Sequence, residues 1–282
     1  PTPEQFQACR DKFLTVQLAE QVGVPVPHAI AVSTLDEAKE AMQTVAGPVV
    51  IKARESSGGR GIAFIDTPED LEDAWKHFDG HGAYIQQRVP SGRKFDVCLL
   101  YDANGILRRK FVQEETRWYP TETSVSTVQR SVHRPDLIDL AVRTIAPIGW
   151  RGIVELEYME DENGTPWLLE INPRLWSSVE LAVQCGIDFP TLAVKLALGE
   201  RIPPDPGYAA DQYCVWSMPG ELLRRFRCFV RRDREGRRRA CPVGTHDNIL
   251  SMRDPMPVLG VFVTVLRHSL DISLWRHLFC RP

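Results

Sequence analysis

Polar side chains alternate with apolar ones at one point of the 282-residue chain, in the stretch Trp167 to Arg174. Glu170, Asn172 and Arg174 are spaced two residues apart, and an isoleucine and a proline separate them. In a β-strand, positions two apart point to the same face, so these side chains would share one side of a strand end. Carboxylate and amide oxygens are ligands that Mg²⁺ accepts, and a guanidinium binds phosphate oxygens. The alternative is a polar strand end that faces water, and the neighbouring elements must decide between the two.

A second strand precedes this one and supplies further carboxylates. The segment 152–159 is predicted to be a strand that pairs with 167–172 as a hairpin. This pairing would place Glu155 or Glu157 beside Glu170. Buried carboxylates that lie together repel each other and are costly without a cation, so a divalent-metal site is predicted, for Mg²⁺ or Mn²⁺ rather than zinc. The predicted metal ligands are Glu157, Glu170 and Asn172.

Earlier in the chain, a lysine and a glycine-rich loop follow a strongly predicted strand. The strand covers 49–53 and carries Lys52 near its end, and a further strand follows at 62–65. Glycines let the backbone approach a ligand closely, and successive N–H groups form anion-binding nests. No GK[ST] sequence and no helix follow the glycines, so this is not a Walker loop. With Lys52, the loop predicts contacts to phosphates. The loop residues are Ser56, Ser57, Gly58, Gly59, Arg60 and Gly61.

Composition excludes several other classes of function. The net charge of −3 gives no reason to expect nucleic acid as a partner. The seven cysteines are irregularly spaced and form no CxxC pair, which favours free thiols in a cytoplasmic protein over disulfides or a zinc site. The longest apolar run, 258–266, is far shorter than a membrane span. The seven histidines lie in no nucleophile motif.

Two further segments contain candidate contact residues. A cap-and-proline signal opens the chain and predicts a single helix over 2–23, with Lys12 inside it. A polar and aromatic loop is predicted at 116–127. Its Arg117 and Tyr119 are candidate substrate contacts, with simple packing inside the loop as an equal alternative.

The last part of the chain is unusually rich in arginine. A proline-rich linker at 201–206 precedes nine arginines within 221–239. Apolar residues among them fall near helical spacing, which predicts an amphipathic basic helix. A solvated helix face is the favoured interpretation, and an anionic membrane surface, an anionic substrate or a partner protein are alternatives. The final segment, 258–279, is expected to pack against the rest of the chain or another subunit rather than lie at a membrane.

Taken in order, these motifs resemble the ATP-grasp superfamily, over about Cys9 to Glu200. The pattern most resembles its branch of predicted ATP-dependent carboxylate–amine ligases, which are similar to a short carbamoyl-phosphate synthetase large subunit. The motifs that carry the resemblance are Asp11-Lys12, Pro48 to Lys52, Ser57 to Gly61, Gln86 to Pro90, Val154 to Tyr158, Leu169 to Arg174, and Gly186 to Pro190.

The resemblance implies an α+β fold in which two lobes with antiparallel sheets clamp ATP. The ATP-grasp domain would span 1–200, with a smaller lobe at about 24–88 and a larger lobe at about 89–200. Residues 201–282 would form a C-terminal extension that contains the arginine-rich helix. The N-terminal domain usual in this superfamily does not precede Cys9, so we expect a fragment of a longer protein or a different mode of substrate binding.

The resemblance also assigns roles to the nucleotide contacts. Lys12 and Lys52 would bind the nucleotide and its phosphates, and the Ser56 to Gly61 loop would close over the phosphates. Asp96 would take the place of the ribose carboxylate, although family members usually carry that residue nearer to the hinge. The hinge, whose backbone would contact the adenine, consists of Gln86, Gln87, Arg88 and Val89.

The metal and catalytic roles follow from the same resemblance. Two Mg²⁺ (or Mn²⁺) ions are expected, with Glu157 and Glu170 as ligands, Glu170 bridging both and Asn172 completing the second. Arg174 would stabilise charge on the transferred phosphoryl group and contact the substrate. Arg174 and Lys52 are therefore the predicted catalytic residues.

The implied reaction is an ATP- and Mg²⁺-dependent ligation. A carboxylate would be activated as an acyl phosphate and joined to an amine, with release of ADP and phosphate. The expected partners are small carboxylate and amine substrates, with a homodimer as a further option. The alternatives are phosphorylation of a small acid such as bicarbonate, as in carbamoyl-phosphate synthetase, or a nucleotide-binding module without catalysis. The intact set of Lys52, Glu157, Glu170, Asn172 and Arg174 argues against the module.

Overall fold

The computed structural model describes residues 1–45, 47–56, 61–78, 82–90, 92–120, 124–233, 241–251 and 254–268. Several residues singled out in the sequence lie outside these ranges, namely Ser57, Gly58, Gly59, Arg60, Arg234, Arg237, Arg238 and Arg239.

Helices and strands are intermixed along the described chain. The helices are α1 (Pro3–Arg10), α2 (Lys12–Gln21), α3 (Leu35–Thr44), α4 (Pro68–Trp75), α5 (Pro135–Ile145), α6 (Val179–Gln184), α7 (Phe189–Ala197), α8 (Leu222–Val230) and α9 (Met256–His268). The strands are β1 (Ala29–Val32), β2 (Val49–Ala53), β3 (Ile62–Ile65), β4 (Ala83–Gln87), β5 (Arg93–Tyr101), β6 (Leu107–Trp118), β7 (Ser126–Ser131), β8 (Gly152–Glu160), β9 (Pro166–Asn172), β10 (Tyr213–Val215) and β11 (His246–Asp247).

The chain divides into two compact units. The first consists of Pro1–Val112, His133–Trp176 and Asp188–Gly207. The second consists of Gln113–Val132, Ser177–Ile187 and Tyr208–Pro282. Strand β6 runs from the first unit into the second. The predicted domain boundary at residue 200 and the lobe boundary near residue 88 stay predictions.

A small antiparallel sheet in the first unit has the strand order β1-β4-β2-β3. Helices α3 and α4 pack on it, and the apolar side chains between them are buried. Each helix begins at a threonine cap, Thr34 for α3 and Thr67 for α4, and Asp70 completes a capping box in α4. The β2–β3 hairpin predicted from the β-branched run is confirmed.

The first helix differs from its prediction, because the chain breaks at Asp11. Its backbone is extended there (φ −77°, ψ 108°), and its carboxylate accepts the N–H groups of Phe13 at 2.9 Å and Leu14 at 3.2 Å. Asp11 is thus the N-cap of α2, and Arg54 Nε donates to the same carboxylate at 2.9 Å. The prediction of one continuous helix is wrong, and Lys12 begins a helix instead of lying inside one.

The larger sheet of the first unit pairs β9 with β8, β8 with β5, and β5 with β6, and its β8–β9 and β5–β8 pairs are antiparallel. Successive residues of β8 point to opposite faces. Val154, Leu156 and Tyr158 are fully buried on one face, which fixes the register against a one-residue slip. The residues between them therefore share the other face.

The second unit has the strand order β11-β10-β7-β6, antiparallel except for the parallel β10–β11 pair. The loop predicted to begin at Thr116 begins later, because β6 continues to Trp118. Its last residues stay paired with β7, Arg117 opposite Val128 and Trp118 opposite Ser126, across two register shifts. Among the described helices, none combines the length and apolar character needed to span a bilayer.

The core beneath the small sheet gives a direct test of this packing. Leu71 of α4 is fully buried, and Leu71→Ala should lower the free energy of unfolding by about 2 to 5 kcal/mol, because it leaves a cavity while keeping helix propensity. Urea unfolding followed by circular dichroism measures the change. Glu40→Ala, at an exposed position of α3, should stay within about 0.5 kcal/mol. Equal effects of the two changes would contradict the described core.

Candidate functional site

One face of three neighbouring strands in the first unit carries four carboxylates. Asp96 of β5 lies opposite Glu157 of β8, and Glu157 lies opposite Glu170 of β9. Glu155 shares the same face of β8 and lies opposite Asn172. Asp96, Glu155 and Asn172 are buried. The strand pairing therefore brings together the three residues that the sequence singled out as metal ligands.

The carboxamide of Asn172 lies at the centre of this face. Its Nδ2 donates to Glu155 Oε2 at 3.2 Å, Glu157 Oε1 at 2.6 Å and Glu170 Oε1 at 3.2 Å. Its Oδ1 accepts from Arg174 Nη2 at 3.0 Å. Because one nitrogen contacts three carboxylates, oxygens from all three converge on one point. We call Glu155, Glu157, Glu170 and Asn172 the carboxylate cluster.

Two lysines face this cluster from other elements. Lys12 Nζ forms an ion pair with Glu170 Oε2, and both side chains are largely buried. Burial alone would raise the pKa of Glu170, but the charges of Lys12 and Lys52 and hydrogen bonds from the neighbours hold it below its ordinary value of 4.5. Glu170 is therefore ionised at neutral pH. Its negative charge is available to a cation.

The surroundings of Lys52 shift its pKa downward. Burial, followed by the charge of Lys12, lowers the pKa of Lys52 from its ordinary value of 10.5 to about 8, against the opposing charges of Glu170 and Glu157. In the sheet Lys52 lies opposite Tyr84 of β4. An anion brought beside this amine would favour the ammonium form and raise the pKa again.

Two buried groups near this face have raised pKa values, and carboxylates of the face contribute to both shifts. The pKa of the Cys98 thiol is raised well above its ordinary value, first by burial and then by Glu155, Asp96 and Glu157. Burial and then Glu170 likewise raise the pKa of the Tyr84 hydroxyl. Four carboxylates against two lysines leave the face with excess negative charge. Both groups stay protonated and neutral, so they add no further charge to it.

The donor set fits a hard divalent cation. Glu157, Glu170 and Asn172 offer carboxylate and amide oxygens that already converge within hydrogen-bond distance of one atom. If the side-chain amide of Asn172 rotated by half a turn, its oxygen would take the position of its nitrogen beside the carboxylates. Within the described residues, no three His, Cys, Asp or Glu side chains form a metal-binding group by themselves. Oxygen ligands of this kind select Mg²⁺ or Mn²⁺ over zinc.

Only the two ends of the glycine-rich loop belong to the described chain. Gly61 has φ +71°, and a Cβ there would lie 3.0 Å from the Cβ of Ala53, so glycine is needed for the loop to rejoin β3. Among the described residues, the buried hydroxyl of Ser56 has no hydrogen-bond partner. It is thus available as a donor where the loop begins.

The predicted hinge follows β4. Gln86 is buried, and its Nε2 donates to the carbonyl of Pro27 at 3.2 Å, while its Oε1 lacks a partner among the described residues. Gln87 is the last residue of β4. The Arg88 guanidinium stacks over the phenylalanine ring of β3 at 4.6 Å from its centroid, and Val89 is half-buried. The adenine and ribose contacts, including the one assigned to Asp96, stay predictions.

The predicted substrate residues Arg117 and Tyr119 belong to the second unit. Arg117 Nη1 forms an ion pair with Glu221 Oε1 at 2.7 Å, and Tyr119 is buried. Glu221 also accepts from Arg224 Nη2 at 2.6 Å. Their roles toward a substrate stay predictions.

Glu155 is a residue of the candidate site whose place the sequence did not resolve. The hairpin allowed either Glu155 or Glu157 to face Glu170, and the structure places both on the same face. The signal was present, because Glu155 and Glu157 are two residues apart in a strand. The sequence did not show that Asn172 would contact both.

The family comparison agrees with this site. The family model "Carbamoyl-phosphate synthase L chain, ATP binding domain" matches residues 11–204, more than half of the chain. The chain belongs to this family. The match includes both lysines and the whole carboxylate cluster, so the site described above lies inside the family's ATP-binding domain.

Relatives of this ATP-binding domain are longer proteins. Acetyl-CoA carboxylase of Dictyostelium discoideum is 28% identical over an alignment of 213 residues that covers 67% of this chain and 9% of that protein. The biotin carboxylase–beta-gamma-ATP complex of Campylobacter jejuni aligns with a TM-score of 0.67 at 22% identity, over 76% of this chain and 51% of that one.

A second solved structure is the biotin carboxylase domain dimer of Hydrogenobacter thermophilus 2-oxoglutarate carboxylase, in complex with MgADP, ADP and bicarbonate. It aligns with a TM-score of 0.64 at 20% identity, over 73% of this chain and 49% of that one. The chain therefore spans about half of each solved chain and a small part of the curated relative. The likeness confirms the predicted α+β ATP-grasp fold.

The lowered pKa of Lys52 makes a prediction for this ATP-binding domain without nucleotide. The folded chain favours the neutral amine, so between pH about 8 and 10.5 it binds fewer protons than the unfolded chain. Unfolding free energy should therefore rise with pH through that window. Lys52→Met should remove this rise and stabilise the nucleotide-free chain at pH 7 by on the order of 1 to 3 kcal/mol.

Urea unfolding at a series of pH values measures both effects. Lys110→Met, at an exposed position of β6, is the matched control and should leave the pH dependence unchanged. Parallel curves for the Lys52 variant and the unmodified chain would show that Lys52 carries no burial cost.

Proposed function

We propose that the chain is the ATP-binding part of an ATP- and Mg²⁺-dependent ligase that activates a carboxylate as an acyl phosphate and joins it to an amine. The observation that carries the proposal is the convergence of three carboxylates on Asn172 beside Lys12 and Lys52, in a chain of this ATP-binding family. Phosphoryl transfer depends on metal ions and cationic clamps more than on a protein nucleophile, and the cluster supplies such groups.

The predicted residues of the site have distinct roles in this proposal. Glu157, Glu170 and Asn172 would hold Mg²⁺ or Mn²⁺. When bound, the ions neutralise phosphate charge and align the transferred phosphoryl group. Lys12 and Lys52 bind phosphate oxygens. Displacement of Lys12 from Glu170 exchanges one cation for another on the same carboxylate, so the cluster keeps its charge compensation.

In this proposal, Arg174 acts on the transferred phosphoryl group. Its guanidinium is exposed and held by Asn172 Oδ1 and by the carbonyl of Leu175 at 3.1 Å. The two acceptors orient the planar guanidinium and leave other N–H groups for phosphoryl oxygens. Arg174 would thus stabilise negative charge as the phosphoryl group leaves ATP and orient the carboxylate that receives it.

The bonds change in two steps. A carboxylate oxygen of the substrate attacks the γ-phosphorus, and the bond from that phosphorus to the β–γ bridging oxygen breaks, which releases ADP. The amine nitrogen then attacks the acyl carbon, the bond to the phosphate oxygen breaks, and phosphate leaves with that oxygen. The amine proton passes to solvent or a base.

The remaining predicted residues take positioning roles in this proposal. The hinge backbone would contact the adenine, Asp96 the ribose, and the loop from Ser56 to Gly61 the phosphates. Arg117 and Tyr119 would contact the acid or the amine. A homodimer is a further proposal, since the Hydrogenobacter relative is described as a dimer.

Phosphorylation of bicarbonate is the second candidate. It is favoured by one observation, that the Hydrogenobacter relative was solved with bicarbonate as well as MgADP. The same cluster would serve, because bicarbonate presents a carboxylate-like oxygen to the γ-phosphorus. The two candidates differ in the acid that accepts the phosphoryl group. A nucleotide-binding module without catalysis would not require the full set of metal and phosphate groups.

The first test is metal-dependent turnover. With ATP, Mg²⁺ and a broad panel of acids and amines, the full-length protein should release ADP. Glu170→Gln should lower that rate on the order of a hundredfold or more, because it weakens metal binding and removes charge stabilisation of phosphoryl transfer. Glu162→Gln, in the exposed turn of the same hairpin, is the control and should turn over normally. Unchanged turnover in the Glu170 variant would overturn the metal assignment, and no ADP release from folded full-length protein would favour the module.

A second test identifies the acid by oxygen transfer. Because the acyl-phosphate route carries one carboxylate oxygen into phosphate, ¹⁸O-labelled substrate acid should yield phosphate with one ¹⁸O, measured by mass spectrometry, together with an amide product. Label from bicarbonate, with no label from any organic acid, would select the second candidate. ADP formation without label transfer from any acid would contradict activation as an acyl phosphate.

A further inference from the structure

Helix α8 of the second unit exposes its apolar side chains. Leu222, Phe226, Phe229 and Val230 are each more than half exposed. Their spacing of four, three and one residues places them on one side of a helix. Large apolar groups gathered on one face of a helix are normally buried against something, so this face needs an explanation.

The arginines of α8 and of the turn after it fall into two groups. Arg224 is buried and paired with Glu221, and Arg227 donates to a backbone carbonyl at 2.7 Å. Arg231 and Arg232, by contrast, are exposed at the end of the helix. Segment 221–239 has nine arginines and three acidic residues in a chain whose net charge is −3. Among the described residues, Arg231 and Arg232 bring positive charge to the end of α8, directly after Phe229 and Val230.

Helix α9 adds a second exposed apolar element. It has no charged residue before Arg267, and its side chains are exposed or half-exposed where they are described. Its 13 residues span about 20 Å, less than the roughly 30 Å hydrocarbon core of a bilayer. A helix of this length and apolar character can lie in a membrane interface. Its more than half-exposed apolar residues are Met256, Leu259, Phe262, Val263 and Leu266.

We propose that α8 and α9 form a docking surface for an anionic lipid bilayer. The apolar side chains would enter the boundary between head groups and acyl chains, and the exposed arginines would contact lipid phosphates. This inference goes beyond the proposed ligase and does not depend on its activity. The sequence alone favours a solvated face for the basic helix and packing for the segment 258–279. The membrane assignment is made instead because large apolar side chains of α8 and α9 are exposed among the described residues.

Charge decides against two other occupants of this surface. A second copy of the chain would bring two arginine-rich faces together, and like charges repel. Nucleic acid would attract the arginines but would leave the phenylalanine and leucine side chains in water. An anionic bilayer satisfies both kinds of group at one surface.

Vesicle co-sedimentation with the full chain tests the proposal. We expect binding to vesicles of phosphatidylcholine with phosphatidylglycerol, weaker binding in high salt, and little binding to phosphatidylcholine alone. The paired change Arg231→Gln with Arg232→Gln should weaken binding about twentyfold. Its control is Lys110→Gln with Arg151→Gln, which removes two exposed charges from the first unit and should have no effect.

The apolar contribution needs its own variants. Phe229→Ser with Val230→Ser should weaken binding by roughly tenfold or more, and both residues are already exposed, so folding should be preserved. The control is Val194→Ser with Leu198→Ser, which changes similarly exposed apolar residues in α7 and directly after it. Equal loss in the control would show non-specific adhesion and overturn the assignment.

Three further results would also overturn the proposal. Folded protein that sediments with neither kind of vesicle has no lipid-docking surface. Equal binding to neutral and anionic vesicles removes the role of the arginines. Concentration-dependent self-association that the Phe229 and Val230 changes abolish, without vesicle binding, would assign the surface to a second copy. None of these outcomes depends on ADP release, so the proposed ligase stands or fails separately.

Discussion

Repulsion among buried carboxylates is the constraint on which the first unit depends. The pairing of β5, β8 and β9 places four carboxylates on one face, where water is largely excluded. Such a face is stable only when cations and hydrogen-bond donors compensate the charge. Lys12 and the amide of Asn172 do this within the chain itself. Metal ions that arrive with a ligand would replace these contacts. The carboxylates would therefore be compensated both before and after the ligand binds.

This charge compensation depends on the break between the first two helices. Lys12 reaches Glu170 because Asp11 ends one helix and caps the next. Asp11 is in turn held by Arg54, which follows directly on the strand that carries Lys52. The cap therefore couples the first helices to the small sheet as well as to the cluster. Loss of the Asp11 cap would move Lys12 away from Glu170. The charge compensation of the cluster therefore depends in part on this turn.

The sequence predicts those parts of the arrangement that follow from the two-residue alternation of a strand and from the residue types within one segment. Alternation in β9 places Glu170 and Asn172 on one face, and the β-branched run at β2 predicts its strand and the position of Lys52. The break at Asp11 and the length of β6 were missed, because each depends on a partner distant in the sequence. For Asp11 that partner is Arg54, and for the end of β6 it is β7. Local propensity contains no information about such partners.

Helices α4 and α8 have opposite polarity, and the difference follows from what each helix buries. In α4, apolar Leu71 and Trp75 are buried and the acidic residues around them face solvent. In α8, the buried side chain is Arg224, which pairs with Glu221 at the start of the helix, while large apolar side chains of α8 are exposed. Glu221 also pairs with Arg117 of β6. A buried ion pair that loses one partner is costly, so this network ties the start of α8 to the sheet and keeps the Arg224 side of the helix turned inward.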